Sequence, residues 1–420
     1  MINIIEKLKE TVKNIVKNAL LKAMENGELK KIDEFPEILI ETPREKGHGD
    51  FSTNIAMQMA KQFKMPPVKI AECIINNIAI EGTFIEKTEK AGPGFINFYL
   101  NNQWLYKGLR IIKDENENYG KIDIGKNQKV MVEFVSANPT GPLHMGNARG
   151  GALGDSIAGV LEAAGYNVTR EFYINDAGNQ IEKFGISLEA RYIQLLQGED
   201  AIDFPEDGYH GEDITEHAKN YITAHGDDLL KESAKERRRK LVAYALDKNI
   251  TNIKQTLEHY GINYDVWFSE KSLYESGEIK DTLKYLKNND FTVEKEGAIW
   301  FKATGSEEEK DEVLVRNNGF PTYFASDIAY HRNKFFKRGF DRVINLWGAD
   351  HHGHVARMKS AVKALGIDPD KLDVVIFQLV RLYRNGEIAR MSKRTGKAIS
   401  LSDLLDEVGK DAARFFFNMK

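Results

Sequence analysis

KVMVEFVSANPTGPLHMGNARGGALGDSIAGVLEAAG, residues 129–165, spells a strand, a turn and a helix in succession. Val130 to Val135 form an apolar, β-branched run that predicts a buried strand over 129–135. Pro139, Gly141 and Pro142 end it, because proline fixes φ and glycine frees it. Past the turn, Ala148, Ala152, Ile157, Val160, Leu161 and Ala164 recur at helical spacing, and Gly165 suits the left-handed C′ position. His144-Met145-Gly146-Asn147 therefore stands where a strand hands over to a helix N-terminus. Unpaired N–H groups and a positive dipole end suit phosphate there, and Gly146 leaves room for a flat group on the backbone. The turn has neither G-x-G-x-x-G nor G-x-x-x-x-G-K-[ST], which argues against a dinucleotide enzyme and a P-loop NTPase.

Outward from this stretch, strands at 168–174, 341–347 and 372–377 alternate with helical patterns, which predicts an α/β domain with a mostly parallel sheet. A mainly helical insertion spans roughly 178–290. Within it, Glu206, Asp207, Glu212 and Asp213 suggest an exposed acidic loop. Glu236-Arg237-Arg238-Arg239-Lys240 reads as a solvated helix face or a contact to RNA phosphate. Residues 1–114 form a smaller α+β unit: a helical stripe of Ile5, Leu8, Val12, Ile15, Val16 and Ala19, a short strand at Ile38-Leu39-Ile40, a helix stopped at Pro66-Pro67, and a strand at Phe95–Leu100. A polar linker at 115–126 joins it to the domain that runs to residue 400.

Composition narrows the class. A formal charge of −4 across 420 residues does not mark a nucleic-acid binder, so any RNA contact must come from local patches. One cysteine, Cys73, excludes an internal disulfide and fits a reducing, cytoplasmic setting. No apolar run is long enough to cross a membrane. Glu6 and Glu10 make the Lys-rich start an ordinary helix rather than a targeting peptide.

Ser136-Ala137-Asn138-Pro139-Thr140-Gly141-Pro142-Leu143-His144-Met145-Gly146 resembles the signature of class I aminoacyl-tRNA synthetases, and among them the arginyl-tRNA synthetases. The resemblance extends through Asn175-Asp176-Ala177-Gly178-Asn179-Gln180 to a second motif, Met391-Ser392-Lys393-Arg394, and covers most of the chain. It implies a Rossmann-like catalytic domain that joins arginine to ATP, releases pyrophosphate and passes arginine to the 3′-terminal adenosine of tRNA. ATP with Mg2+ is then a substrate, no tightly bound cofactor or protein-held metal is expected, and a monomer is expected. Such chemistry needs no enzyme nucleophile; it needs placement and neutralised charge on phosphate oxygens. His144, Asn147 and Lys393 are the expected catalytic residues. The family usually has a second histidine where Asn147 stands, and Asn147 can donate a hydrogen bond but carry no charge. The family's Lys-Met-Ser-Lys-Ser stands here as Arg390-Met391-Ser392-Lys393-Arg394, between Gly386 and Gly396, in a basic loop able to close over a triphosphate.

For arginine, carboxylates are required because a guanidinium pairs bidentately. The resemblance assigns Glu133, Ser136, Asn138, His144, Tyr323 and Asp327 to arginine, and Asp327 to the guanidinium. Tyr323 and Asp327, four apart, share a face if they start a helix; otherwise Asp327 is a helix N-terminal charge. ATP is expected at His144, Gly146, Asn147, Gly348, Asp350, His354, Met391, Ser392 and Lys393. Asp350-His351-His352-Gly353-His354 also has the residue types of a zinc site, but three histidines crowded in one turn do not readily face one point. In the N-terminal unit, Gly49–Asn54 and Ala91–Ile96 resemble the family's tRNA-elbow domain, and Asn101 and Trp104 could contact an unstacked base. The same two residues equally fit a capping Asn and a half-buried Trp. Two other classes stay open: a related adenylate-forming nucleotidyltransferase with a small-molecule acceptor, and a non-catalytic RNA-binding paralogue. At the other end, Asp411–Lys420 is an amphipathic pattern with three consecutive Phe. By resemblance it begins the anticodon-binding helical domain over 401–420, so the chain is expected to lack the rest of that domain and to bind tRNA poorly.

Overall fold

Lys129–Glu133 is the central strand of a five-stranded parallel sheet. The order across it is Leu372–Phe377, Arg342–Gly348, Lys129–Glu133, Asn167–Ile174, Val266–Ser269. The computed structural model describes residues 4–32, 34–302, 311–378, 380–384, 386–388 and 399–419. It divides into two compact units, Met1–Ile122 and Asp123–Lys420.

The sheet belongs to the second unit. The chain leaves the central strand toward Asn167–Ile174 and later returns on the other side through Arg342–Gly348. That reversal creates a crevice at the carboxyl ends of the strands, where doubly wound sheets bind ligands. Side chains alternate across the pleat: Val130 and Val132 pack on one face and Met131 on the other. All three are fully buried, so the strand reads as a continuous apolar run. The helix Met145–Ala163 lies close on the first face because Gly150 and Gly154 have no side chain. A Cβ on Gly154 would stand 2.3 Å from Phe134 Cγ, and one on Gly150 would stand 2.8 Å from the Phe377 ring. Val160, counted above in the apolar stripe, instead faces outward.

The central strand ends at Glu133, not at residue 135. A fifth strand, Val266–Ser269, lies inside the segment expected to be an insertion, and a three-stranded antiparallel sheet (Thr292–Lys295, Ala298–Phe301, Glu312–Val315) follows it. The acidic Glu212 and Asp213 open a helix, Glu212–His225, where their charge meets the dipole, rather than lying in a loop. The helices Asn179–Gln197, Glu212–His225 and Ala234–His259 pack around Phe184, Leu188, Tyr192 and Leu241. Arg237 and Arg238 both pair with buried Glu189, at 2.7 and 2.5 Å, while Arg239 pairs with Glu236 and Lys240 with Glu232. Arg237 and Arg238 thus tie the helix Ala234–His259 to Asn179–Gln197, while Arg239 and Lys240 pair locally on the exposed face. At the far end, Ala413 and Phe417 are buried while Phe415 and Phe416 stay exposed, and Arg414 pairs with Asp155 at 2.5 Å.

In the first unit, the helix Ile4–Glu25 buries Leu8, Val12, Val16, Ala19 and Leu20 against a three-stranded antiparallel sheet and the helix Pro67–Asn77. The first of the two stretches singled out in this unit pairs with the strand that the second one enters: Phe51↔Phe98, Ser52↔Asn97, Thr53↔Ile96. Gly49, at φ 86°, lets the chain pass Phe98 O, which a Cβ would meet at 2.6 Å. Residues 38–40 form no strand; Glu41 alone bridges to Ser52. Asn101 Oδ1 accepts the Gln103 N–H at 3.0 Å and Trp104 packs half-buried on the core, so both have structural work. Among the described residues no helix is long and apolar enough to cross a membrane.

Candidate active site

The crevice opens into a cavity of about 930 Å³. It brings together Glu133, Ser136, Asn138, His144, Gly146 and Asn147 from the first motif with Tyr323, Asp327, Gly348, Asp350 and His354. Residues over two hundred positions apart thus share one wall.

After Glu133 the backbone turns sharply. Val135 has φ 68° and Ser136 φ 41°, and the Ser136 N–H donates to Phe134 O at 3.0 Å across Val135. A β-branched residue at positive φ costs about 1–3 kcal/mol and persists only where its surroundings over-determine it. The turn aims Ser136 Oγ back at Glu133 Oε1, 3.1 Å away, while Oγ accepts the Tyr173 N–H at 3.2 Å. Asn138 Oδ1 accepts from Asn175 Nδ2 at 2.9 Å, joining the two stretches noted in the sequence. Asn249, from the helical bundle, donates to Pro139 O at 2.9 Å and holds the next step of the loop.

His144 caps the helix Met145–Ala163. Its Nδ1 accepts the Gly146 N–H at 3.0 Å, and its own N–H donates to Asn147 Oδ1 at 3.1 Å. With Nδ1 an acceptor, the proton sits on Nε2, which is a donor available to the cavity. Asn147 Oδ1 is spent on the cap and its Nδ2 remains a donor. Lys393, Met391 and Ser392 lie outside the described residues. Their borders are tied to the same helix start: Arg149 donates to Gln378 O at 2.6 Å, and Leu401 N–H donates to Leu143 O at 2.8 Å beside the His144↔Ser400 bridge.

The other end of the cavity is acidic. Tyr323 begins the helix Tyr323–Arg332 and is half exposed. Asp327, one turn on, is bonded through Oδ2 to His354 Nε2 at 3.0 Å. His354, expected at the nucleotide, is thus engaged with a carboxylate expected at arginine. His351 and His354 turn to separate carboxylates, Asp350 at 3.5 Å and Asp327, and among the described residues no metal-binding cluster forms. Glu270, which the sequence did not single out, is buried behind this end, with Oε2 lacking any hydrogen-bond partner among the described residues. Burial first, and the negative charge of Asp327 second, push its carboxyl up to about 7. Among the described residues neither Asp327 nor Glu270 has a Lys or Arg partner, whereas Glu133 pairs with Lys334 and Glu171 with Arg338. The cavity therefore holds donors at one end and surplus negative charge at the other.

Residues 110–418 match the family model described as tRNA synthetases class I (R), catalytic domain, and residues 6–100 match the arginyl tRNA synthetase N terminal domain. The chain is 69% identical to the arginine–tRNA ligase of Acetivibrio thermocellus and 66% identical to that of Ruminiclostridium cellulolyticum, in each case over all of this chain and 74% of the relative. The Thermus thermophilus arginyl-tRNA synthetase structure shares the fold, with a TM-score of 0.57 at 19% identity over 98% of this chain and 74% of that one.

Proposed function

Because the chain belongs to the class I arginyl-tRNA synthetases and ligates arginine to tRNA, we propose a division of labour within this one cavity. The guanidinium of arginine sits against Asp327 beside the Tyr323 ring, with Glu270 adding negative potential from behind. The α-ammonium lies toward Glu133, Ser136 and Asn138. That orientation turns the substrate carboxylate toward the helix start, where ATP binds against His144, Gly146 and Asn147, with Gly348 and Asp350 toward its nucleoside.

One carboxylate oxygen of arginine attacks the α-phosphorus; a carbon-bound oxygen–phosphorus bond forms as the bond to pyrophosphate breaks. His144 Nε2–H and Asn147 Nδ2 donate to oxygens that gain charge, and Lys393 answers the charge leaving on pyrophosphate. Mg2+ arrives with the ATP phosphates, and no residue of the chain is assigned to it. The 3′-terminal adenosine hydroxyl of tRNA then attacks the acyl carbon and AMP leaves. The cytoplasm is the proposed setting.

The observation that carries this reading is surplus negative charge facing a helix N-terminus with hydrogen-bond donors across one cavity. ATP–pyrophosphate exchange with a panel of amino acids, with and without tRNA, tests it. Arginine alone should support exchange; exchange with lysine or a neutral amino acid at a similar rate would overturn it.

Glu270 adds a pH signature. In the free protein its carboxyl is raised from the usual 4.5 to about 7. The folded state then holds a proton the unfolded chain has lost, so this group's stability contribution fades as pH rises through that window. A guanidinium favours the ionised form. Arginine binding slightly below neutrality should therefore release a proton, and affinity should rise as pH climbs toward about 7 and level off above it. Calorimetry in buffers of different ionisation enthalpy will show the release, and Glu270→Gln should abolish it. Binding without proton release in the unaltered protein would place Glu270 outside the guanidinium's field.

A further inference from the structure

Glu133 and Glu171 are direct neighbours across two parallel strands of the sheet. Each is answered by a cation from the segment that continues the Tyr323–Arg332 helix. Lys334 Nζ lies 2.5 Å from Glu133 Oε2, and Arg338 grips Glu171 through both terminal nitrogens. The backbone between them, Asn333–Lys337, is a π-helix, the widened turn that often marks functional sites. Lys334 is fully buried and its ammonium also stands 4.0 Å over the Tyr330 ring.

A hydrogen-bond chain of fixed direction starts from the same ammonium. Lys334 donates to Asn345 Oδ1 at 3.0 Å, and Asn345 Nδ2 lies 2.9 Å from His331 Nε2. His331 Nδ1 lies 2.7 Å from the carbonyl of Asp327. The polarity closes only one way: Asn345 donates to Nε2, and Nδ1–H donates to Asp327 O. Burial and the nearby Lys334 hold His331 well below its usual range, which keeps this neutral tautomer.

We propose that Lys334 is a positioning residue for arginine selection. It fixes the Glu133 carboxylate at one end of the cavity and, through Asn345 and His331, the helix turn bearing Asp327 at the other. This rests on the reading of Glu133 and Asp327 as arginine-binding carboxylates. Lys334 also offsets the charge of Glu133, so the surplus negative charge stays at the guanidinium end and a substrate with two cationic groups binds in one direction.

Lys334→Met and Lys334→Gln test it, with calorimetric arginine Kd, steady-state KM for ATP and arginine, and thermal midpoint read on each. Lys334→Met should weaken arginine about 30-fold while ATP KM stays within about twofold, the pattern for one buried ion pair broken at a binding group. Lys334→Gln, which keeps a neutral hydrogen-bond donor on a shorter side chain, should fall between and supplies the result if Lys334→Met does not fold. Adding Glu133→Gln to Lys334→Met should cost far less arginine affinity than Glu133→Gln alone, because the partner is already displaced. Unchanged arginine Kd in either folded Lys334 variant, or full multiplication with Glu133→Gln, overturns the proposal and leaves a lysine that only stabilises the fold. Glu133→Gln and Asp327→Asn both retaining normal affinity would instead overturn the underlying carboxylate assignment.

Discussion

Asp327→Asn is expected to weaken arginine binding by about 2–5 kcal/mol, the range for leaving one member of a desolvated charge pair alone. Asp327 sits one helical turn past Tyr323 and has only the His354 ring as a charged or hydrogen-bonding side-chain partner among the described residues. The substitution keeps shape and can keep the His354 bond, so stability should change little. What disappears is the acceptor pair that a planar guanidinium fork engages. ATP affinity should stay near normal, because the helix start at His144 is a separate part of the cavity wall. Calorimetric titrations of the variant with arginine and with ATP check both halves. An unchanged arginine Kd would mean that another carboxylate, Glu270 first, holds the guanidinium.

The second large effect falls on rate. His144→Asn and Lys393→Ala should each lower the activation rate about 10²–10³-fold, the scale for removing one preorganised donor to developing charge. Asparagine is chosen at 144 because it is a good N-cap residue, whereas alanine would also cost the helix about 1 kcal/mol. The cap in question is the Gly146 N–H to His144 Nδ1 bond. Asparagine restores that acceptor but cannot place a donor where Nε2–H stands. Substrate affinities should move far less than the rate if, as proposed, both groups act on charge that appears during the reaction. Single-turnover kinetics with separate Kd measurements distinguish this from a binding defect; equal losses in rate and affinity would contradict it.

Much of the frame was legible because it depends on local pattern. The strand, turn and helix of 129–165 follow from apolar spacing and from Pro and Gly, and the parallel sheet follows from the alternation of elements. The end of the first strand was not legible. Phe134 and Val135 continue the apolar run, yet Val135 turns at positive φ, which nothing in a β-branched residue announces. Val266–Ser269 escaped because four residues carry too little periodicity against a long helical background. Among site residues, Asp327 and Tyr323 were marked by their spacing and by family resemblance. Glu270 and Lys334 were not, since a glutamate or lysine in a charged helical segment looks solvated until the fold buries it. Their roles arise from contacts between distant segments, as with Lys334 meeting Glu133 across the sheet.

On the proposed arrangement, the acidic end of the cavity reads the charge of a guanidinium. Citrulline has arginine's shape and length with a neutral urea in its place, so the two ligands isolate that charge. In calorimetric titrations against the unaltered protein, arginine should bind at least about 100-fold more tightly than citrulline, and Asp327→Asn should collapse most of that difference. Citrulline binding within a few-fold of arginine, or a difference that survives Asp327→Asn intact, would contradict the claim.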